Sequence, residues 1–127
     1  MIVLDASVLI AHFDARDLHH ARAEALLEES GAEALGASAI TLAETLVAPA
    51  RVGRLEEAMT ALDRLGVTEL HLGADAARRL AELRADTARK LPDCCVLAAA
   101  EEFDGTVASF DVELIKAAGH RRLKTIQ

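Results

Sequence analysis

The sequence has no tryptophan and no tyrosine, and its only aromatic side chains besides histidine are Phe13, Phe103 and Phe110. A module that reads single strands by stacking bases on an aromatic platform needs more than that, which argues against an RRM- or OB-type binder. There are two cysteines, Cys94 and Cys95, and they are adjacent. Neighbours in sequence rarely bridge, and nothing else supplies thiolate ligands for zinc, so both read as small buried apolar residues. No apolar run approaches the roughly 18 residues that cross a bilayer. The N-terminus lacks a basic segment, and Asp5 interrupts the one apolar stretch there, so no signal peptide or membrane partner is expected and the expected localisation is cytoplasmic. Linkers rich in proline, glycine or serine are missing, as are low-complexity tracts and repeats. Basic excess is missing too: the net charge is −7, which at first argues against a nucleic-acid partner.

What is present suits one globular domain spanning residues 1–127. The chain is 52% hydrophobic and 28% charged, and at this length it can bury roughly two-thirds of its unfolded surface. Strand-like and helix-like segments alternate. Strands are expected at Ile2–Leu4, Glu33–Ala37, Val67–Leu72, Thr106–Ser109 and Leu123–Ile126. Helices are expected at Ser7–Phe13, Leu18–Glu29, Leu42–Ala48 (stopping before Pro49), Arg54–Leu65, Ala74–Thr87, Pro92–Phe103 and Val112–Ala118, the last closed by Gly119. Asp104-Gly105 reads as a turn. This alternation predicts an α/β fold in three layers, with a mostly parallel central sheet flanked by helices. Ligands of such sheets bind beyond the carboxyl ends of the strands.

Four acids fall at that kind of place. Asp5 follows the first strand in MIVLDASVLIA, and Asp111 follows the fourth in ASFDVEL. Glu44 lies in the first turn of its expected helix in SAITLAETLVA, and Asp93 sits behind a helix-opening proline in LPDCCVLAAA. Each has a plain structural explanation. Asp5 and Asp111 suit N-caps, Thr41-x-x-Glu44 fits a capping box, and Asp93 complements a helix dipole. Taken together, they form an acidic cluster on one sheet edge, where some would be forced to protonate unless a cation holds them ionised. Mg²⁺ or Mn²⁺ takes oxygen ligands. One ion, or two about 3.5–4 Å apart, would activate water and steady the leaving oxygen of a phosphodiester. Ser7 and Ser109, each two residues from an acid, are candidates to orient a carboxylate or a water. Setting the four acids aside leaves 14 basic residues against 17 acidic ones, an ordinary balance. Arg51, Arg54, Arg84, Arg89, Lys90, Arg121, Arg122 and Lys124 are then available to contact phosphates or simply to solvate a face. Asp14, Asp17 and Glu113 read as solvated or capping residues, and His19 and His20 as a polar helix face suited to partner contact.

These segments, with DLHHARAEALL and SAITLAETLVAPARVGR, occur in an order that resembles the PIN-domain nucleases, specifically the VapC-type toxins of toxin–antitoxin pairs. The resemblance covers nearly the whole chain. It implies a metal-dependent endoribonuclease using Mg²⁺ or Mn²⁺, cleaving tRNA or ribosomal RNA. It also implies a cognate VapB-type antitoxin and often a homodimer. It assigns catalytic and metal-binding roles to Asp5, Glu44, Asp93 and Asp111. The family's T-x-D before its fourth acid is here Ser109-Phe110-Asp111, which keeps the hydroxyl. Alternatives are a PIN nuclease of RNA processing outside toxin–antitoxin systems and a PIN module that only binds. A phosphoacceptor receiver domain fits poorly, because only Asp5 follows the first strand and no lysine ends a late one.

Overall fold

A computed structural model describes all residues, Met1–Gln127. In chain order it comprises β1 (Ile2–Leu4), α1 (Ala6–Phe13), α2 (His20–Ser30), β2 (Leu35–Ser38), α3 (Ala39–Arg51), α4 (Leu55–Leu65), β3 (Val67–Leu70), α5 (Ala76–Thr87), α6 (Leu91–Glu102), β4 (Thr106–Ala108), α7 (Val112–His120) and β5 (Thr125–Ile126). The strands form one sheet in the order β3-β2-β1-β4-β5. All four pairings are parallel, so the expected mostly parallel sheet is wholly parallel.

Strand alternation sets the layers. Ile2, Leu4 and Ala108 point to one face, where they meet Val8, Leu9, Ala23, Leu26 and Leu62 of α1, α2 and α4. Val3 and Val107 point to the other, against α6 and α7. Helix α6 is apolar all round, with every residue from Cys94 to Ala100 buried. A helix of that kind belongs inside a core rather than on its surface. Both cysteines are free and buried there, as small apolar residues. No helix is long and apolar enough to cross a membrane.

Several boundaries differ from expectation for identifiable reasons. Helix α3 begins at Ala39 because Ser38, not Thr41, is its N-cap, the Ser38 hydroxyl accepting the Thr41 N–H at 3.2 Å. The Thr41–Glu44 capping box is therefore not formed, and Glu44 lies in the second turn. The helix also runs through Pro49 to Arg51. Proline forfeits only its own donor, and the Pro49 carbonyl still closes the turn by accepting from Val52 and Arg54. Helix α2 starts two residues late because Asp14 and Asp17 accept the backbone N–H groups of Arg16 and His19, holding those residues in turns. Gly119 does not end α7; the helix continues to His120, and Arg122 takes the left-handed conformation instead (φ 62°). In the Asp104-Gly105 turn, Asp104 carries the positive φ. Gly105 is required for a different reason: a Cβ there would lie 2.6 Å from Val3 Cγ2.

The chain lays β2 and β3 on one side of β1, then crosses to lay β4 and β5 on the other. The direction in which successive strands are added to the sheet thus reverses between β1 and β4. In open parallel sheets the crevice beyond the carboxyl ends at such a switch point is the usual ligand position. Asp5 directly follows β1, and Asp111 lies three residues beyond the end of β4.

Candidate metal centre

Asp5 occupies the N-cap position of α1, but its side chain makes no capping hydrogen bond. Its backbone N–H donates to the Ala108 carbonyl at 2.9 Å, tying the end of β1 to β4. Its Oδ2 accepts two hydroxyls, Ser7 Oγ and Ser109 Oγ, both at 2.7 Å. Each serine is fixed in turn by a backbone N–H from the loop after β4. Phe110 donates to Ser7 Oγ and Asp111 donates to Ser109 Oγ, each at 3.0 Å. Asp5 is 8% exposed. Its second oxygen accepts no protein donor, yet it is not sealed from solvent. A buried carboxylate with one oxygen clamped and the other open suits a ligand for a cation.

Asp111 divides its two oxygens. Oδ1 caps α7 by accepting from Glu113 N (2.9 Å) and Leu114 N (3.3 Å), as expected of an N-cap aspartate. Oδ2 accepts from Arg89 Nη2 at 3.1 Å. Asp93, in the first turn of α6, accepts from the same guanidinium at 2.7 Å (Nη2) and 3.0 Å (Nε). Burial nevertheless raises the Asp93 carboxyl above its ordinary range, with the charges of Asp5 and Asp111 adding to the rise and Arg89 opposing it. The Glu44 carboxyl is raised as well, first by partial dehydration and then by the charges of Asp5 and Asp93. The fold therefore gathers all four acids into one electrostatic neighbourhood. As they stand, no three of them close on a single point as a ligand cage. The donors are nonetheless all carboxylate oxygen, mutually repelling, and partly neutralised by one cationic side chain. That chemistry fits a hard divalent ion that keeps much of its water and needs only one or two carboxylates directly.

The other predicted cations are placed less centrally. Arg54 pairs with Glu57, and Arg121 with Glu101. Arg84 donates to the carbonyls of Ala88 and Arg89, supporting the loop rather than the acids. Arg51, Lys90, Arg122 and Lys124 are left without an ion pair in the chain. His19 stacks on Phe110 at 4.8 Å, beside the fourth acid. In the sequence Arg89 was one basic residue among several. Its spacing of four from Asp93 on a helix entry was the available signal of pairing, whereas its reach to Asp111 had none.

The PIN domain family model matches residues 2–120. Comparison with curated protein sequences gives no significant match. Among solved structures, the chain is similar to a toxin–antitoxin complex from Klebsiella pneumoniae, with 25% identity over 86% of this chain and 85% of that one and a TM-score of 0.72. It is similar to VapC20 of Mycobacterium tuberculosis, a sarcin-ricin-loop-cleaving toxin, with 24% identity over 92% and 95% of the two chains and a TM-score of 0.73. FitAcB from Neisseria gonorrhoeae aligns over 100% and 97% of the two chains, with 21% identity and a TM-score of 0.74. The last two likenesses establish a shared fold.

Proposed function

The chain belongs to the PIN domain family, and from that premise we propose that it is a divalent-metal-dependent endoribonuclease acting as a single domain of residues 1–127, the toxin of a toxin–antitoxin pair. The observation that carries this reading is the Asp5 carboxylate at the β1/β4 switch point, with two serines donating to one oxygen and the other left open. Structural caps do not need such an arrangement. Asp5, Asp93 and Asp111, with Glu44 at the margin, would hold Mg²⁺ or Mn²⁺, which when bound would supply an activated water and neutralise charge at the phosphodiester. Ser7 and Ser109 hold the Asp5 carboxylate in place by donating to its Oδ2. The α7 cap fixes one oxygen of Asp111, so that only the other faces the site. Glu44, raised in pKa by partial dehydration and by the charges of Asp5 and Asp93 and free of hydrogen-bond partners, is the one of the four acids best suited to exchange a proton with water.

The substrate class is RNA, tRNA or ribosomal, and the partners are a VapB-type antitoxin and a second copy of the chain. Likeness to toxin–antitoxin structures supports the antitoxin. The deciding experiment incubates the antitoxin-free protein with total tRNA and ribosomal RNA in Mg²⁺, Mn²⁺ or EDTA, with Asp5→Asn alongside. Discrete fragments that vanish with EDTA and with the variant are expected. Cleavage that survives Asp5→Asn would mean that the active centre lies elsewhere.

A further inference from the structure

Arg89 is the one cation placed among the four acids, and the chain is built to present it there. Ala88 before it takes the left-handed conformation (φ 56°), uncommon for a residue with a Cβ. The Arg89 backbone is then held on both sides. Its N–H donates to Thr87 Oγ1 at 3.2 Å, and its carbonyl accepts from Arg84 Nη1 at 2.8 Å and from the Cys94 thiol at 3.5 Å. From that fixed base the guanidinium bridges Asp93 and Asp111, acids contributed by different elements. An incidental surface pair would have neither the pinned backbone nor the second carboxylate.

We propose that Arg89 is a displaceable counter-ion: it bridges Asp93 and Asp111 when no divalent ion is bound, and releases them to the ion and turns to the substrate phosphate when one is. This rests on the reading of the four acids as a metal centre. The guanidinium and a divalent ion compete for the same Oδ2 atoms, and both cannot hold them fully. Once displaced, Arg89 stays at the same edge on an unmoved backbone. An arginine without its carboxylates there can fork onto the two non-bridging oxygens of a phosphodiester, in a way that lysine cannot.

The test measures Mn²⁺ binding by calorimetry on wild type, Arg89→Ala, Arg89→Lys and Asp5→Asn, together with kcat and KM on the RNA that wild type cleaves. Arg89→Gln replaces the alanine variant if that fails to fold. Removing Arg89 is expected to tighten Mn²⁺ binding on the order of tenfold, within the usual range of coupling between two sites, while raising KM for RNA. Lysine should fall between. A merely structural ion pair would not move the two quantities in opposite senses. Unchanged or weaker Mn²⁺ binding without Arg89 would overturn the proposal, as would an unchanged KM. If wild type binds no Mn²⁺, or Asp5→Asn binds it equally well, the metal reading of the four acids falls and this proposal with it.

Discussion

Removing the Ser109 hydroxyl is the sharpest probe of how the candidate centre is held. Ser109 is fully buried. Its hydroxyl acts twice, donating to Asp5 Oδ2 at 2.7 Å and accepting the Asp111 N–H at 3.0 Å. Ser109→Ala deletes a hydrogen bond to a charged group, worth about 1.5–3 kcal/mol, and strands a backbone donor whose desolvation costs about 1–3 kcal/mol. Ser7 still donates to the same Asp5 oxygen, and Asp111 is only half-buried, so the sum is not reached. A loss of about 2–3 kcal/mol is expected, which for a chain of this size lowers Tm by roughly 10 °C. Ser7 makes the equivalent pair of bonds but is partly exposed, so water can replace its hydroxyl. Ser7→Ala should cost about 1 kcal/mol. Because both serines serve one carboxylate oxygen, the double variant should be destabilised beyond the sum of the singles by about 1 kcal/mol. Urea titrations of the four proteins in EDTA measure all three quantities. A Ser109→Ala variant within about 0.5 kcal/mol of wild type, or one less destabilised than Ser7→Ala, would refute the reasoning that burial decides the cost.

Glu44→Gln should stabilise the metal-free protein at pH 7. Glu44 and Asp93 both have folded-state pKa values raised above their ordinary ones. The native state therefore holds more protons than the unfolded chain in that window, and their contribution to stability falls as pH rises through the ordinary carboxylate range and up to the raised values. Removing one of the two like charges should flatten that fall. The gain is about 0.5 kcal/mol, kept small because Glu44 is largely exposed to solvent. Melting curves in EDTA from pH 4 to 8 test it, and a variant that is less stable than wild type at pH 7 would contradict the sign. Gly105→Ala should destabilise by about 1–3 kcal/mol, as an overpacked core position does. The new methyl would lie 2.6 Å from Val3 Cγ2 on the central strand, and a chemical denaturation midpoint equal to wild type would show that β1 and β4 can separate freely.

How much of this was legible beforehand depends on the distance over which each feature is decided. Asp5, Asp93 and Asp111 sit at handovers between elements, and handovers are set by the local change of hydrophobic period. Their placement at one sheet edge then follows from a parallel topology, and the structure has all five strands parallel. The same reasoning puts Glu44 in the first turn of its helix, one turn from where the structure has it, because Ser38 and not Thr41 takes the cap. Which oxygen of each acid is already in use could not be read locally. The Asp5 clamp joins residues 104 apart in sequence, and the bridge from Arg89 to Asp111 joins residues 22 apart. The first contact forms once β4 lies beside β1, and the second once β4 turns back along α6. The plain explanation also fails for Asp5 and holds in part for Asp111, although the two residues look alike in sequence. Asp111 caps its helix with Oδ1, while the Asp5 carboxylate accepts the hydroxyls of Ser7, on its own helix, and Ser109, beyond β4, in place of a helix N–H. Two identical residue types at two equivalent strand ends thus do different work. What separates them is that Ser7 and Ser109 both reach Asp5, whereas Arg89 reaches Asp111.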